Sequence, residues 1–146
     1  MSLLLLFPAS TPTAVYTKES KATLPTAVTD LATTYTPTET GYMSADDTNY
    51  SDLTGAGPYL IHQYKNVSTS TTAAINGTWI GRSTKAGSAG TITLQIYNHN
   101  TAGWETLASN TTVAANTDFT LAGTQSTNIT NYISGGYITF RVYQAI

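Results

Sequence analysis

TITLQIYNHN, residues 91–100, decides how this chain folds. Ile92, Leu94 and Ile96 share one parity, and Thr91, Thr93, Gln95 and Tyr97 share the other. Side chains alternate across a strand, so the pattern is that of a β-strand with one apolar face turned to a core. The turn residues of NHNTAG follow, and GWETLAS returns as the partner strand of a hairpin. The same alternation recurs in GYITFRVYQ, residues 136–144, which places Ile138, Phe140 and Val142 on the core side. Tyr137, Thr139, Arg141 and Tyr143 fall on the opposite side.

Outward from these two stretches, YLIHQYKNV, AAINGTWIGRS and TDFTLAG are further strand candidates, separated by Thr-, Ser-, Gly- and Asn-rich turns. TNITNYISGG carries Ile129, Tyr132 and Ile133 at helical spacing before a Gly stop, which predicts one short helical turn. Several short strands with turns every 8 to 12 residues predict an all-β fold, an antiparallel β-sandwich. At 146 residues without cysteine, one such domain buries a sufficient core without disulfides.

Residues 8–40 are rich in Thr, Ala and Pro. Pro8, Pro12, Pro25 and Pro37 predict extended, helix-free backbone. The expected organisation is an extended N-terminal arm over residues 1–24 and a sandwich domain over residues 25–146, with a first strand near Val28 to Thr36. GYMSADDTNYSDLTGAGP reads as a long connection. At the arm's tip, Leu3, Leu4, Leu5, Leu6 and Phe7 form a short apolar run that ends at Pro8, with no Lys or Arg before Lys18. The run is too short for a membrane span and lacks the basic start of a secretory leader. It is expected to dock on a neighbouring subunit.

Charged residues make up 10% of the chain and the net charge is -2. Six scattered basic residues form no patch, which excludes nucleic-acid binding by phosphate neutralisation. His62 and His99 are the two histidines and have no metal-ligand spacing with carboxylates. No G-x-S-x-G elbow, phosphate-binding loop or evident carboxylate pair occurs, so no catalytic residue and no cofactor is expected. Asp47, Asn49 and Ser51 alternate as calcium ligands do, yet Asp52 and Pro58 stand where an EF-hand needs Gly and Glu. The alternatives for Asp46 to Asp52 are an Asx-turn-rich loop and a structural calcium loop. Tyr97, Tyr137, Arg141 and Tyr143 share the non-core parity. Tyr and Arg in that setting suit a subunit interface, and Tyr faces beside polar groups also suit sugars.

The run from YLIHQYKN through TLQIYNHNTAGWETLAS and DFTLAG to NYISGGYITFRVYQ is similar to jelly-roll sandwiches of the galactose-binding-like, carbohydrate-module type. It shares with them a strand ending in YN, a tight turn, a WE-L strand, a Y-I corner and a closing R-Y strand. This resemblance implies a jelly roll and admits a glycan ligand. The opening MSLLLLFP resembles the beginnings of tailed-phage virion proteins. Together these likenesses imply a non-enzymatic capsid decoration protein, located in the virion and contacting capsid or other virion proteins or further copies of itself. A carbohydrate-binding module or adhesin is the alternative.

Overall fold

A computed structural model describes residues 13–42, 49–68 and 70–146. Among the described residues, nine strands form an antiparallel β-sandwich of two unequal layers, as the alternation predicts. The strands are β1 (Val15–Lys21), β2 (Thr33–Thr34), β3 (Tyr59–Val67), β4 (Ile75–Gly81), β5 (Ile92–Asn98), β6 (Gly103–Asn110), β7 (Phe119–Gln125), β8 (Ile133–Ser134) and β9 (Tyr137–Ala145). The large sheet runs β2-β1-β3-β9-β5-β6, with β8 paired to the start of β9; β4 and β7 form a separate ribbon. The expected helical turn is a 3₁₀ turn at Ile129–Tyr132.

The core lies between the layers. Ile92, Leu94 and Ile96 of β5 and Ile138, Phe140 and Val142 of β9 pack beneath Ile75 of β4 and Leu121 of β7. The ribbon sits close because Gly77 and Gly123 oppose each other in register. A Cβ on Gly77 would stand 2.9 Å from both Leu107 and Phe140, and one on Gly123 would stand 2.7 Å from the Leu107 carbonyl oxygen. At the edge of the core, Trp79 and Phe119 meet edge to face with ring centres 5.4 Å apart.

Two parts of the expected N-terminal organisation are corrected. Residues 15–21, read as arm, form β1 and pair with β3 from Val15↔Lys65 to Lys21↔Tyr59. The strand was hidden because its face towards the core layer carries Tyr16, Lys18 and Ser20 instead of aliphatic residues. The expected strand near Val28 to Thr36 shrinks to β2, and a helix α1 follows at Pro37–Tyr42. Thr36 Oγ1 accepts from the Glu39 N–H at 3.2 Å and Glu39 Oε2 accepts from the Thr36 N–H at 2.9 Å. That capping box starts the helix, and Pro37 fits the first helical position, where no N–H is needed.

Between β1 and β2, residues 22–32 run as a strap across the outer face of the large sheet. Arg141 Nη1 donates to the Pro25 carbonyl at 2.6 Å and Gln63 Nε2 to the Thr29 carbonyl at 2.9 Å. The Leu31 N–H donates to Thr17 Oγ1 at 3.2 Å, and Lys65 pairs with Asp30. Beneath it the face is polar yet buried, with Thr17, Gln63, Thr139 and Arg141 at 2 to 3% exposure. Leu3 to Phe7, with the rest of residues 1–12, lie outside the described residues.

Candidate functional site

The parity that places Tyr97, Arg141 and Tyr143 on one side of the sheet also assembles them into a continuous row. β5, β6 and β9 are neighbours, so their outer-face side chains stand abreast. The His99 and Tyr97 ring centres are 5.0 Å apart, and Tyr97 and Trp104 are 5.1 Å apart, both edge to face. The Arg141 guanidinium lies 4.1 Å from the Trp104 ring centre and 5.4 Å from that of Tyr143, which meets Tyr59 at 6.2 Å. Such cation–π contacts favour a desolvated guanidinium.

Two recesses flank this row where the strap leaves the face incompletely covered. The larger, ≈ 540 Å³, is lined among others by Val28, Asp30, Lys65, Tyr97, His99 and Tyr137. The smaller, ≈ 280 Å³, lies between Leu24 and Pro25 on one side and Gln95, Gly103, Trp104 and Arg141 on the other. Each borders a residue with an unspent polar atom. Among the described residues, His99 Nε2 and Trp104 Nε1 are buried without a hydrogen-bond partner. Burial also pulls the His99 pKa below the ordinary imidazole value, which keeps the ring neutral at pH 7.

The expected interface residues therefore divide. Tyr137 and Tyr143 are half-buried and reach the surface, whereas Tyr97 and Arg141 are 7% and 3% exposed, covered by their own chain. The parity is as expected, but the strap turns a predicted open face into an interior one. Trp104 belongs to the outer-face row, while Trp79 packs against the core. His99 and the strap were the parts not read as site. The turn identity of NHNTAG gave no hint that the imidazole would fold back on Tyr97.

A second polar cluster sits at the other side of the large sheet, beneath α1. Lys18 pairs with Glu39 and donates to Ser51 Oγ at 3.2 Å and to the Asp52 carbonyl at 2.7 Å. Ser51 donates to Glu39 Oε1 at 3.1 Å. The bond from Lys18 holds the Glu39 carboxyl down at about 2. Lys18 thus reaches Glu39, Ser51 and the Asp52 carbonyl together and ties α1 and the segment before β3 to β1. Behind it, Tyr35 hydrogen-bonds His62 Nδ1 and stands 3.4 Å from the Tyr64 hydroxyl. Ser51 and the Asp52 carbonyl are hydrogen-bonded to Lys18; Asp46 and Asp47 lie outside the described residues. Among the described residues, no three His, Cys, Asp or Glu side chains gather as a metal site, and no helix is long and apolar enough to cross a membrane.

Compared with known protein families, residues 10–145 match the model of AF_1625_C, described as "Uncharacterized protein, C-terminal domain". The chain belongs to this family. The AF_1625_C match begins ahead of β1, so it takes in the strap and both recesses along with the sandwich. Neither curated proteins nor solved structures gave a match.

Proposed function

We propose that this chain is a non-enzymatic assembly protein, a component of a phage virion of the capsid decoration type, which binds further copies of itself or other particle proteins. The observation that carries the assembly reading is the β4–β7 ribbon. Its strands, INGTWIG and FTLAGTQ, contain no charged residue, and β4 pairs among the described residues with β7 alone. The outward face presents Asn76, Thr78 and Ile80 opposite Thr124, Ala122 and Thr120, with Ile80 49% exposed. Solitary proteins protect such edges with charges, prolines or bulges, and this ribbon carries none, which suits an edge that a partner strand covers. The virion setting rests on the likeness of MSLLLLFP to the start of tailed-phage virion proteins.

The test is the mass of the particle in solution. Light scattering should find concentration-dependent oligomers of the full chain. Thr78→Lys with Ile80→Lys, which places charge on the ribbon without touching the core, should leave monomers with an unchanged melting temperature. A wild-type chain that stays monomeric and binds no virion protein defeats the reading. The alternative, carbohydrate binding, is favoured by Tyr137 beside Asp30 and Lys65 in the larger recess. Saturable binding on a glycan array, lost in Tyr137→Ala, would establish it instead.

A further inference from the structure

Arg141 is the one arginine of the sheet interior, and its charge is unmatched. It is 3% exposed, and the ion pairs among the described residues involve Lys18, Lys21 and Lys65 instead. A buried guanidinium normally meets a carboxylate, because taking its charge out of water is costly. Here the acceptors are neutral: Nε donates to Gln95 Oε1 at 2.8 Å and Nη1 to the Pro25 carbonyl at 2.6 Å. Among the described residues no acceptor reaches Nη2, so part of the donor fork is unspent. Desolvation pulls its pKa down to about 10, so the group is still a cation at neutral pH.

Trp104 lines the same ≈ 280 Å³ recess, lies under the guanidinium, and has its indole N–H buried without an acceptor. Buried donors in proteins are almost always satisfied, so the unpartnered Trp104 N–H, beside an Arg141 amino group that no described residue accepts from, indicates an acceptor that the described residues do not provide. Leu24, Pro25 and Ala102 supply an apolar part of the wall, beside Thr26, Gln95 and Gly103. An uncompensated planar cation, a neutral N–H and an apolar wall define the complement of a small anion with an apolar tail.

We propose that the recess between Trp104, Arg141 and the strap residues Leu24 and Pro25 binds a small organic carboxylate, free or borne on a single sugar acid. One carboxylate oxygen accepts from Arg141 Nη2 and is drawn by the guanidinium charge. The indole N–H of Trp104 is the second donor, and the ligand's carbon skeleton rests on Leu24 and Pro25. A carboxylate fits better than a spherical anion because the fork is planar. The recess is at the small end of ligand pockets, which excludes an extended glycan.

The experiment is a titration of the full-length chain followed by NMR. The two tryptophans give two indole N–H signals, which Trp104→Phe assigns. Propionate at constant ionic strength should shift the Trp104 indole signal saturably with a Kd of about 1 mM or tighter, while glucose leaves it in place. A response to glucuronate without one to propionate would identify the sugar acid as the source of the carboxylate. Arg141→Lys should weaken binding, read at the Gly103 amide, by about tenfold or more, since an ammonium cannot present the fork. Trp104→Phe keeps an aromatic ring at that position, smaller than the indole, and removes the N–H donor. It should weaken binding severalfold and still decides the question if Arg141→Lys unfolds. No saturable shift with either acid would reduce Arg141 to a latch that pins the strap. An equal response to chloride or inorganic phosphate would overturn the assignment to carboxylates.

Discussion

His62 shows how one buried side chain makes stability depend on pH. It lies on the inner face of β3, with Tyr35, Tyr64 and Lys18 around it. Burial raises the Tyr35 pKa to about 12, so its hydroxyl keeps its proton and shares a hydrogen bond with His62 Nδ1. Burial, reinforced by the Lys18 charge and opposed weakly by Glu39, pushes His62 down to about 4. Between that value and the ordinary 6.5 the unfolded chain takes up a proton that the folded chain refuses. The contribution is therefore complete above pH 6.5 and is lost as pH falls towards 4, on the order of 3 kcal/mol. Glu39 acts separately: its carboxyl, lowered to about 2 by Lys18, contributes above 4.5 and loses that contribution below it. His62→Gln, whose amide can still hydrogen-bond Tyr35, should thus reduce the fall in melting temperature between pH 6.5 and 4.5, leaving there the smaller part due to His99, and leave the further fall below 4.5. An unchanged slope in the upper window would show that His62 titrates normally.

At the scale of elements, the two layers meet through glycine. Gly77 and Gly123 oppose each other in the ribbon, and their missing side chains let it settle onto Leu107 and Phe140. Gly123→Ala places a methyl against the rigid backbone at Leu107 and should cost roughly 1 to 3 kcal/mol by forcing the layers apart. Gly77→Ala meets only side-chain ends and should cost less. Urea midpoints of the two variants check the order, and a reversed order would mean that the ribbon does not sit as described. Inner-face residues of β5 and β9 were legible because aliphatic residues alternate there with polar ones, a local signal. β1 was not, because Tyr16 and Lys18 fill its inner side and meet partners 20 to 50 residues away. Arg141 and Tyr97 had the right parity for the candidate site. Arg141 is held beneath Pro25, which is 116 residues away along the chain, and no local periodicity carries that contact.

For the whole molecule, the order of the strands sets what can be removed. β9 is the last strand in the chain and stands inside the large sheet, pairing with β3 along all nine residues from Tyr59↔Ala145 to Val67↔Tyr137 and with β5 on its other edge. It also supplies Ile138, Phe140 and Val142 to the core. The sheet therefore closes only when segments some 70 residues apart come together, and the loop entropy of that step is met before its contacts form. Refolding should be slow for a chain of this length, in the range of milliseconds to seconds typical of sandwiches. Removing residues 137–146 takes the shared partner from both β3 and β5 and should leave a chain without β-sheet signal in circular dichroism. Removing residues 1–12 touches no strand and no core residue of the described structure, since β1 begins at Val15. That shorter chain should melt within a few degrees of the intact one. If Leu3 to Phe7 dock on a neighbour, it should also lose partner binding, so that folding and assembly separate at residue 12. A large fall in melting temperature for an intact chain that is monomeric would instead assign Leu3 to Phe7 to the chain's own fold.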